Sequence, residues 1–385
     1  MPSNALTDHI RQAIREQGPI PFARFMELAL YHPRWGYYAT GVHVGKEGDF
    51  YTSPHVSPVF GAALAGQMGE MWNALDRPSD FTIVEVGAGT GQLACHVLEA
   101  LPDAAPALAH RARFVIVERA RVARRVQAKT LGPLADRVTW VTALEECGTF
   151  PGCLYANELI DAFPFHRVVQ ERTALREVCV DLGGTHFVET LETPSTPRLA
   201  EHLAALGITL PEGYRTEVNL AAGDWMAQVG RHLAEGFVVT IDYGYPAAEY
   251  YAPHRNRGTF LCYYHHTTNE EPLERIGEQD ITAHVDFTSL ARAGEGAGLK
   301  TVGFTTQSDF LLHGGTEAIE RAVAAAQAKG DDAVARWKTT AGIKSLLDPE
   351  GMGGTFKLLL QAKGVEQGGL SGWQRDRRRL LLPEG

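Results

Sequence analysis

The segment Glu85–Val86–Gly87–Ala88–Gly89–Thr90–Gly91 lies between an apolar run with strand character and an amphipathic run with helix character. Its glycines permit a tight turn and let a ligand come close to the backbone. Two ligand classes use such a loop. Dinucleotide binders favour GxGxxG, but Gln92 stands where the third glycine would be, so the spacing is GxGxG. Glu85, two places before the first glycine, suits a cationic ligand better than a pyrophosphate. S-adenosyl-L-methionine (SAM) carries an ammonium and a sulfonium and no phosphate. Glu118 ends the next strand, where a carboxylate can accept hydrogen bonds from both ribose hydroxyls. Glu85, Gly87, Ala88, Gly89, Gly91 and Glu118 are therefore candidate cofactor contacts, with SAM favoured over NAD. The plain alternative is a structural turn with a surface glutamate.

A second constellation is Tyr155–Ala156–Asn157–Glu158–Leu159–Ile160–Asp161–Ala162–Phe163–Pro164, at the carboxyl end of the fourth strand of the series. Ligands of open α/β sheets bind along that edge. If the loop begins a helical turn, Glu158 and Asp161 stand three residues apart on one face. Two carboxylates there can hold a cationic acceptor beside a methyl donor. The competing reading is a capped turn, with Asn157 as the cap and Asp161 in solvent. Amino-methyltransferases of nucleic acids carry a Pro-Pro pair at this place, and Glu158–Leu159 replaces it. Asn157 and Leu144 complete the candidate cofactor contacts. No further His, Cys or carboxylate cluster joins His265–His266 to complete a metal site, and they read as surface or packing residues.

The elements that must position these residues follow from periodicity. Phe81–Val86, Phe114–Glu118, Val138–Val141 and Cys153–Ala156 are expected strands alternating with helices over Gly91–Leu101 and Ala120–Leu131. This alternation implies an α/β fold built on a mostly parallel sheet with helices on both faces. The series resumes at Gly236–Asp242, at residues 299–307 and at Phe356–Ala362, with a helical stretch over Glu317–Leu347. Residues 166–219 break the rhythm, and Gly183–Gly184 reads as a hairpin turn in an antiparallel insertion. Four regions result: a helical N-terminal extension and lid (1–80), the first half of a cofactor domain (81–165), an antiparallel substrate subdomain (166–230), and a second half with a helical insertion (231–385).

The chain of 385 residues has 44% hydrophobic and 21% charged residues, which excludes disordered and low-complexity classes. Its net charge of −10 argues against nucleic-acid partners. The basic run Arg375–Arg379 is the exception and reads as a solvated tail. Five cysteines without CxxC spacing suggest reduced thiols and no structural metal. With no apolar leader, transit-like segment or membrane-length run, the expected location is cytoplasmic.

Several further motifs resemble the MidA (mitochondrial dysfunction protein A) family of SAM-dependent methyltransferases. They are Gly48–Asp49–Phe50–Tyr51–Thr52–Ser53–Pro54, Glu85 to Gly91, Ala156 to Pro164, Ile241–Asp242–Tyr243–Gly244, Asp280 to Phe287, and Leu347–Asp348–Pro349 through Phe356. The resemblance implies a class I (Rossmann-like) methyltransferase fold and a protein arginine acceptor. It also implies that Thr52, Ser53 and Pro54 lie over the SAM pocket. Where the family usually has Gly-Pro-Gly-Arg-Gly, this chain has Gly87–Ala88–Gly89–Thr90–Gly91, which removes an arginine near the site. A small-molecule methyltransferase and a SAM-binding assembly chaperone remain alternatives, and a homodimer is left open.

Methyl transfer from a sulfonium needs positioning more than acid–base power. An arginine acceptor has negligible free base, so carboxylates must concentrate its positive charge away from the attacking nitrogen. Glu158 is the first candidate for this role and Asp161 the second. For the cofactor loop, Gly89→Val should place a side chain where the ligand passes. Calorimetry is expected to show no SAM binding by this variant; undiminished binding would remove the loop from the site.

Overall fold

The computed structural model describes residues 2–41, 56–328, 333–365 and 369–382. Thr52, Ser53 and Pro54 lie outside the described residues. The central sheet contains β1 (Thr82–Val86), β2 (Arg113–Val117), β3 (Val138–Val141), β4 (Phe150–Asn157), β5 (Leu233–Tyr245), β6 (Lys300–Thr306) and β7 (Phe356–Lys363). Their order across the sheet is β3-β2-β1-β4-β5-β7-β6, with Val285–Asp286 pairing the end of β5. The pairs from β3 to β5 are parallel, whereas β7 runs antiparallel to both neighbours. The fold is α/β with mixed sheets.

The central strands are buried on both faces, which explains their nearly continuous apolar runs. Ile83, Phe114, Cys153, Phe237 and Leu358 pack on one side with the helices Val59–Ala74 and Gln92–Ala104. Val84, Val115, Leu154 and Val238 pack on the other with Leu220–His232 and Phe287–Gly296. Ser57 accepts a hydrogen bond from the amide of Val59 at 3.3 Å, holding the entry to the first of these helices. The expected helical stretch over Glu317–Leu347 contains the helices Thr316–Ala328 and Ala333–Leu347.

A separate antiparallel sheet joins Ala174–Gly183, His166–Glu171 and Arg215–Val218, with His186–Glu192 on the outer edge. Ile20–Pro21 also pairs with it, so the N-terminal segment is part of this layer. The helices Pro2–Gln17 and Phe22–Tyr31 share a core with Phe165, Val180 and Cys262. A small three-stranded sheet, Leu261–Tyr264 between Thr267–Asn269 and Asp280–Thr282, completes that side. Two tyrosines of the N-terminal segment tie it to the loop after β4 and to the small sheet. Tyr31 donates to the Ala162 carbonyl at 2.8 Å, and Tyr38 donates to Asp280 Oδ1 at 2.7 Å.

The basic run near the C-terminus is not a free tail. Arg375 and Arg377 donate to the two oxygens of buried Asp309 at 3.1 and 2.6 Å. Asp376 accepts from the Phe304 amide at 3.0 Å, and Trp373 packs edge-on against Phe310. A charge run in solvent gains nothing by ordering, but a buried carboxylate needs its partners. Asp309→Ala should therefore lower unfolding stability by about 1–3 kcal/mol, discounted because both arginines are partly solvated. Thermal or urea denaturation measures this; a change within error would reduce the segment to a passive cover.

Candidate active site

The carboxyl ends of β1, β2, β4 and β5 lie side by side because those strands are parallel, and the candidate residues follow each end. Gly87 through Gly91 turn the chain from β1 into the helix Gln92–Ala104. The Gly87 amide donates to the Val117 carbonyl at 3.1 Å, and the Gly91 amide to that of Ala88 at 2.7 Å. Gly89 and Gly91 have φ of +52° and +81°, in the left-handed region that side chains disfavour. A Cβ on Gly91 would approach Gln127 Cα at 3.0 Å, so that glycine is required by packing. Around Gly89 a Cβ would meet nothing within 4 Å. The loop is thus backed by protein at one glycine and open at the other, which fits a bound ligand. Ala88 is buried in the core beneath the loop.

Glu118 follows β2 with its carboxylate already oriented. Oε1 accepts from the Ala120 amide at 2.8 Å, and Oε2 accepts from Gln127 Nε2 at 3.0 Å. Burial raises its pKa, partly offset by these hydrogen bonds. Each oxygen retains acceptor capacity for a ribose hydroxyl. Leu144 is 2% exposed, in the core cluster with Val86 and Val117 at the ends of β1 and β2. Glu85 is buried on the opposite sheet face, where the Tyr155 hydroxyl donates to it at 2.8 Å. Burial pushes the Glu85 carboxyl up to about 8, with the tyrosine hydrogen bond opposing. Burial thus favours the neutral form of Glu85, and a positive charge beside it would favour the ionised form.

The loop after β4 differs from the expected helical turn. Glu158 has φ of +51°, and its amide donates to the Ile241 carbonyl at 2.9 Å, so it cannot start a helix. Asn157 ends β4 instead of capping a helix, and its Nδ2 donates to Glu158 Oε1 at 2.9 Å. Asp161 is 5% exposed rather than solvated. Asp242 lies inside β5, fully buried, and organises the loop. Its Oδ2 accepts from the amides of Ile160 and Asp161 at 3.0 and 3.3 Å, while Oδ1 accepts from the Tyr243 amide at 2.9 Å.

These carboxyl groups sense one another. Burial, then Asp161 and Asp280, raise Glu158 well above the carboxylate range; burial, then Asp161 and Glu158, do the same to Asp242. Burial pushes Asp161 up to about 6, while the Tyr243 hydroxyl donating to Oδ2 pulls it down. Asp161 Oδ1 is buried without a hydrogen-bond partner. Tyr263 faces the same group, its phenol raised by burial and then by Asp161, Asp280 and Glu158. Among the described residues, no ion pair reaches Glu158, Asp161 or Asp242. No group of three or more His, Cys, Asp or Glu is placed to hold a metal ion, again among the described residues.

Sequence reasoning missed Gln127 and Trp140 and gave no role to Tyr155 or to the tyrosines facing the acidic loop. Gln127 carried one visible sign. Ala123, Gln127 and Leu131 recur every four residues on the buried stripe of an otherwise basic helix. The state of Glu85 yields a prediction. A cation docking against a carboxyl of pKa about 8 lowers that pKa, so binding near pH 7 should release a proton. Calorimetry of S-adenosylhomocysteine binding in buffers of different ionisation enthalpy should detect the release, and Glu85→Gln should abolish it. Equal proton exchange in both proteins would separate Glu85 from the ligand's ammonium.

Residues 63–305 match the model of a family described as S-adenosyl-L-methionine-dependent methyltransferases. Among relatives, the protein arginine methyltransferase NDUFAF7 homolog, mitochondrial, of Drosophila melanogaster is 28% identical, covering 94% of this chain and 85% of that one. The human protein arginine methyltransferase NDUFAF7, mitochondrial, is 25% identical over 92% of this chain and 82% of its own. A crystal structure from Burkholderia thailandensis bound to S-adenosyl-homocysteine has 34% identity and a TM-score of 0.88, covering 98% of this chain and 96% of that one. The expected cytoplasmic location is not upheld, because the curated relatives are named as mitochondrial proteins. No helix among the described residues is long and apolar enough to cross a membrane. With a family match over more than half its length, and with a glycine loop and acidic strand end that fit SAM, the chain belongs to the MidA family of SAM-dependent methyltransferases.

Proposed function

We propose that this enzyme is a class I methyltransferase that N-methylates arginine in a protein acceptor. One observation carries the acceptor assignment: buried Asp161 and half-buried Glu158 lie together at the strand edge and, among the described residues, no cation pairs with either. Buried carboxylates normally have a partner. A guanidinium supplies positive charge and paired donors in a plane, which match carboxylate oxygens. The names of the NDUFAF7 relatives agree with such an acceptor. The strand order β3-β2-β1-β4-β5-β7-β6, with β7 reversed, supports the class I reading. In this reading residues 1–80 form a helical extension, 81–165 and 231–385 the cofactor domain, and 166–230 a substrate subdomain.

The cofactor contacts proposed are Gly87, Ala88, Gly89 and Gly91 against the ligand backbone, Glu118 on the ribose, Glu85 toward the ammonium, and Leu144 and Asn157 on the walls. Bound SAM supplies an electrophilic methyl group on a sulfonium. Asp161 and Glu158 bind two guanidinium nitrogens and draw positive charge toward them, leaving the third nitrogen richer in electrons. That nitrogen bonds to the methyl carbon while the carbon–sulfur pair stays on sulfur. The bound guanidinium favours the ionised form of Glu158 against the burial that raises its pKa, and the proton that the nitrogen sheds passes to that carboxylate. Asp242 does not touch the acceptor; it fixes the loop through backbone amides.

The test uses arginine peptides, SAM and mass spectrometry of the product. Glu158→Gln should keep SAM affinity while methyl transfer falls by about 10²-fold, roughly 2.7 kcal/mol of transition-state stabilisation. Because both carboxyls must be ionised to hold the guanidinium and burial raises both, Asp161 to about 6 and Glu158 well above the carboxylate range, kcat/KM should fall as pH drops into the acid region. Asp161→Asn should remove its share of that limb and leave that of Glu158. Methyl groups found only on lysine or on a small molecule, or normal turnover by Glu158→Gln on a confirmed arginine, would defeat the assignment.

A further inference from the structure

We propose that Gln127 is the positioning residue that presets the ribose site, an inference that rests on Glu118 being the ribose acceptor. Gln127 is fully buried and joins three separate elements. Its Nε2 donates to the Gly89 carbonyl at 3.1 Å and to Glu118 Oε2 at 3.0 Å. Its Oε1 accepts from Trp140 Nε1 at 3.0 Å. The amide orientation is set by chemistry. An indole N–H only donates, and a carbonyl and a carboxylate only accept, so the reversed amide would lose all three bonds.

The consequence is geometric. Gly89 is the open point of the glycine loop, and Glu118 is the acid across from it on the next strand. One amide group spans both, holding the open loop at a fixed separation from the acid. Glu118 Oε1 is fixed independently by the Ala120 amide. The carboxylate is therefore pinned at both oxygens, and its remaining acceptor directions are set before any ligand arrives. Pre-organisation of this kind raises affinity by reducing what binding must order. It should also sharpen discrimination between ribose and deoxyribose, because a misaligned acid gains less from the second hydroxyl. Gly91 leaves room for Gln127 Cα, so the helix Arg121–Leu131 lies directly against the loop that its glutamine spans.

The experiment measures the affinity of S-adenosylhomocysteine and of its 2′-deoxy analogue for the full chain and for Gln127→Met, Gln127→Glu, Glu118→Ala and Gln127→Met/Glu118→Ala. Wild type should prefer the ribose ligand, and Glu118→Ala should lose at least tenfold in affinity. Gln127→Met should weaken S-adenosylhomocysteine about tenfold and shrink the preference for it over the deoxy analogue. In the double variant the Gln127 change should add nothing further, since its effect passes through Glu118. Gln127→Glu keeps the shape and the indole bond but repels Glu118, so it should also lose the preference; it guards against a packing defect in the Met variant. An unchanged preference in both folded Gln127 variants, or fully additive losses with Glu118→Ala, would overturn the proposal. If instead Glu118→Ala binds normally while wild type binds well, the ribose assignment itself falls, a result distinct from failure at Gln127.

Discussion

The buried carboxylate of Asp242 is the constraint on which the functional edge depends. It lies within β5, yet it accepts two amides from the loop after β4 and one from its own neighbour Tyr243. A backbone turn buried in this way would otherwise leave donors unsatisfied, at about 1–3 kcal/mol each. The amide of Glu158 is satisfied by the next carbonyl of the same strand, that of Ile241. The loop is thereby laced onto β5 along its length, and the left-handed turn at Glu158 is held in place by bonds on both sides. Asn219 adds a third hold, its Nδ2 donating to the Ile160 carbonyl at 3.1 Å while its Oδ1 caps the helix Leu220–His232.

Around this edge the neighbouring donors are mostly neutral. Tyr243 donates to Asp161 and its oxygen can accept from the Thr282 hydroxyl, Tyr38 donates to Asp280, and Tyr31 braces the loop at Ala162. A phenol satisfies a carboxylate oxygen without cancelling its charge, unlike a lysine or arginine. A site furnished with phenols keeps its acids ordered while leaving their demand for positive charge unmet. Tyr31 and Tyr38 come from the N-terminal helical region and Thr282 and Asp280 from the small three-stranded sheet. The acidic loop at the end of β4 is therefore braced from the layer outside the central sheet, while the glycine loop and Glu118 lean on the sheet itself.

Much of the cofactor side was legible because its requirements are local. Positive φ at Gly89 and Gly91 calls for glycine, and an acid at the end of the second strand is a spacing signal. The acidic loop was legible only as composition. Whether Glu158 and Asp161 share a helical face depends on φ at Glu158, which is imposed by the Ile241 carbonyl on another strand. Asp242 looked like a strand-end residue because its partners lie about 80 positions earlier. The arginines at 375 and 377 looked solvated for the same reason, since Asp309 stands more than 60 residues away. Gln127 was hidden in a basic helix, where one amide on a stripe of apolar residues carries little weight unless its three partners are known.

The place of β7 has a consequence for how the chain is made. It is the last strand of the central sheet in sequence, yet it sits between β5 and β6 and hydrogen-bonds to both. During synthesis from the N-terminus, β5 and β6 emerge with facing edges that have no partner. They must wait for about fifty residues, including the helices Thr316–Ala328 and Ala333–Leu347, before Phe356–Lys363 leaves the ribosome. Exposed strand edges are templates for aggregation, and long-range pairings form slowly. Completion of the sheet, and with it the anchoring of Asp242 opposite Lys357, thus comes only after β5 and β6 have both emerged. A ribosome stalled before residue 356 would hold a glycine loop already able to form beside an edge still open to the wrong partner.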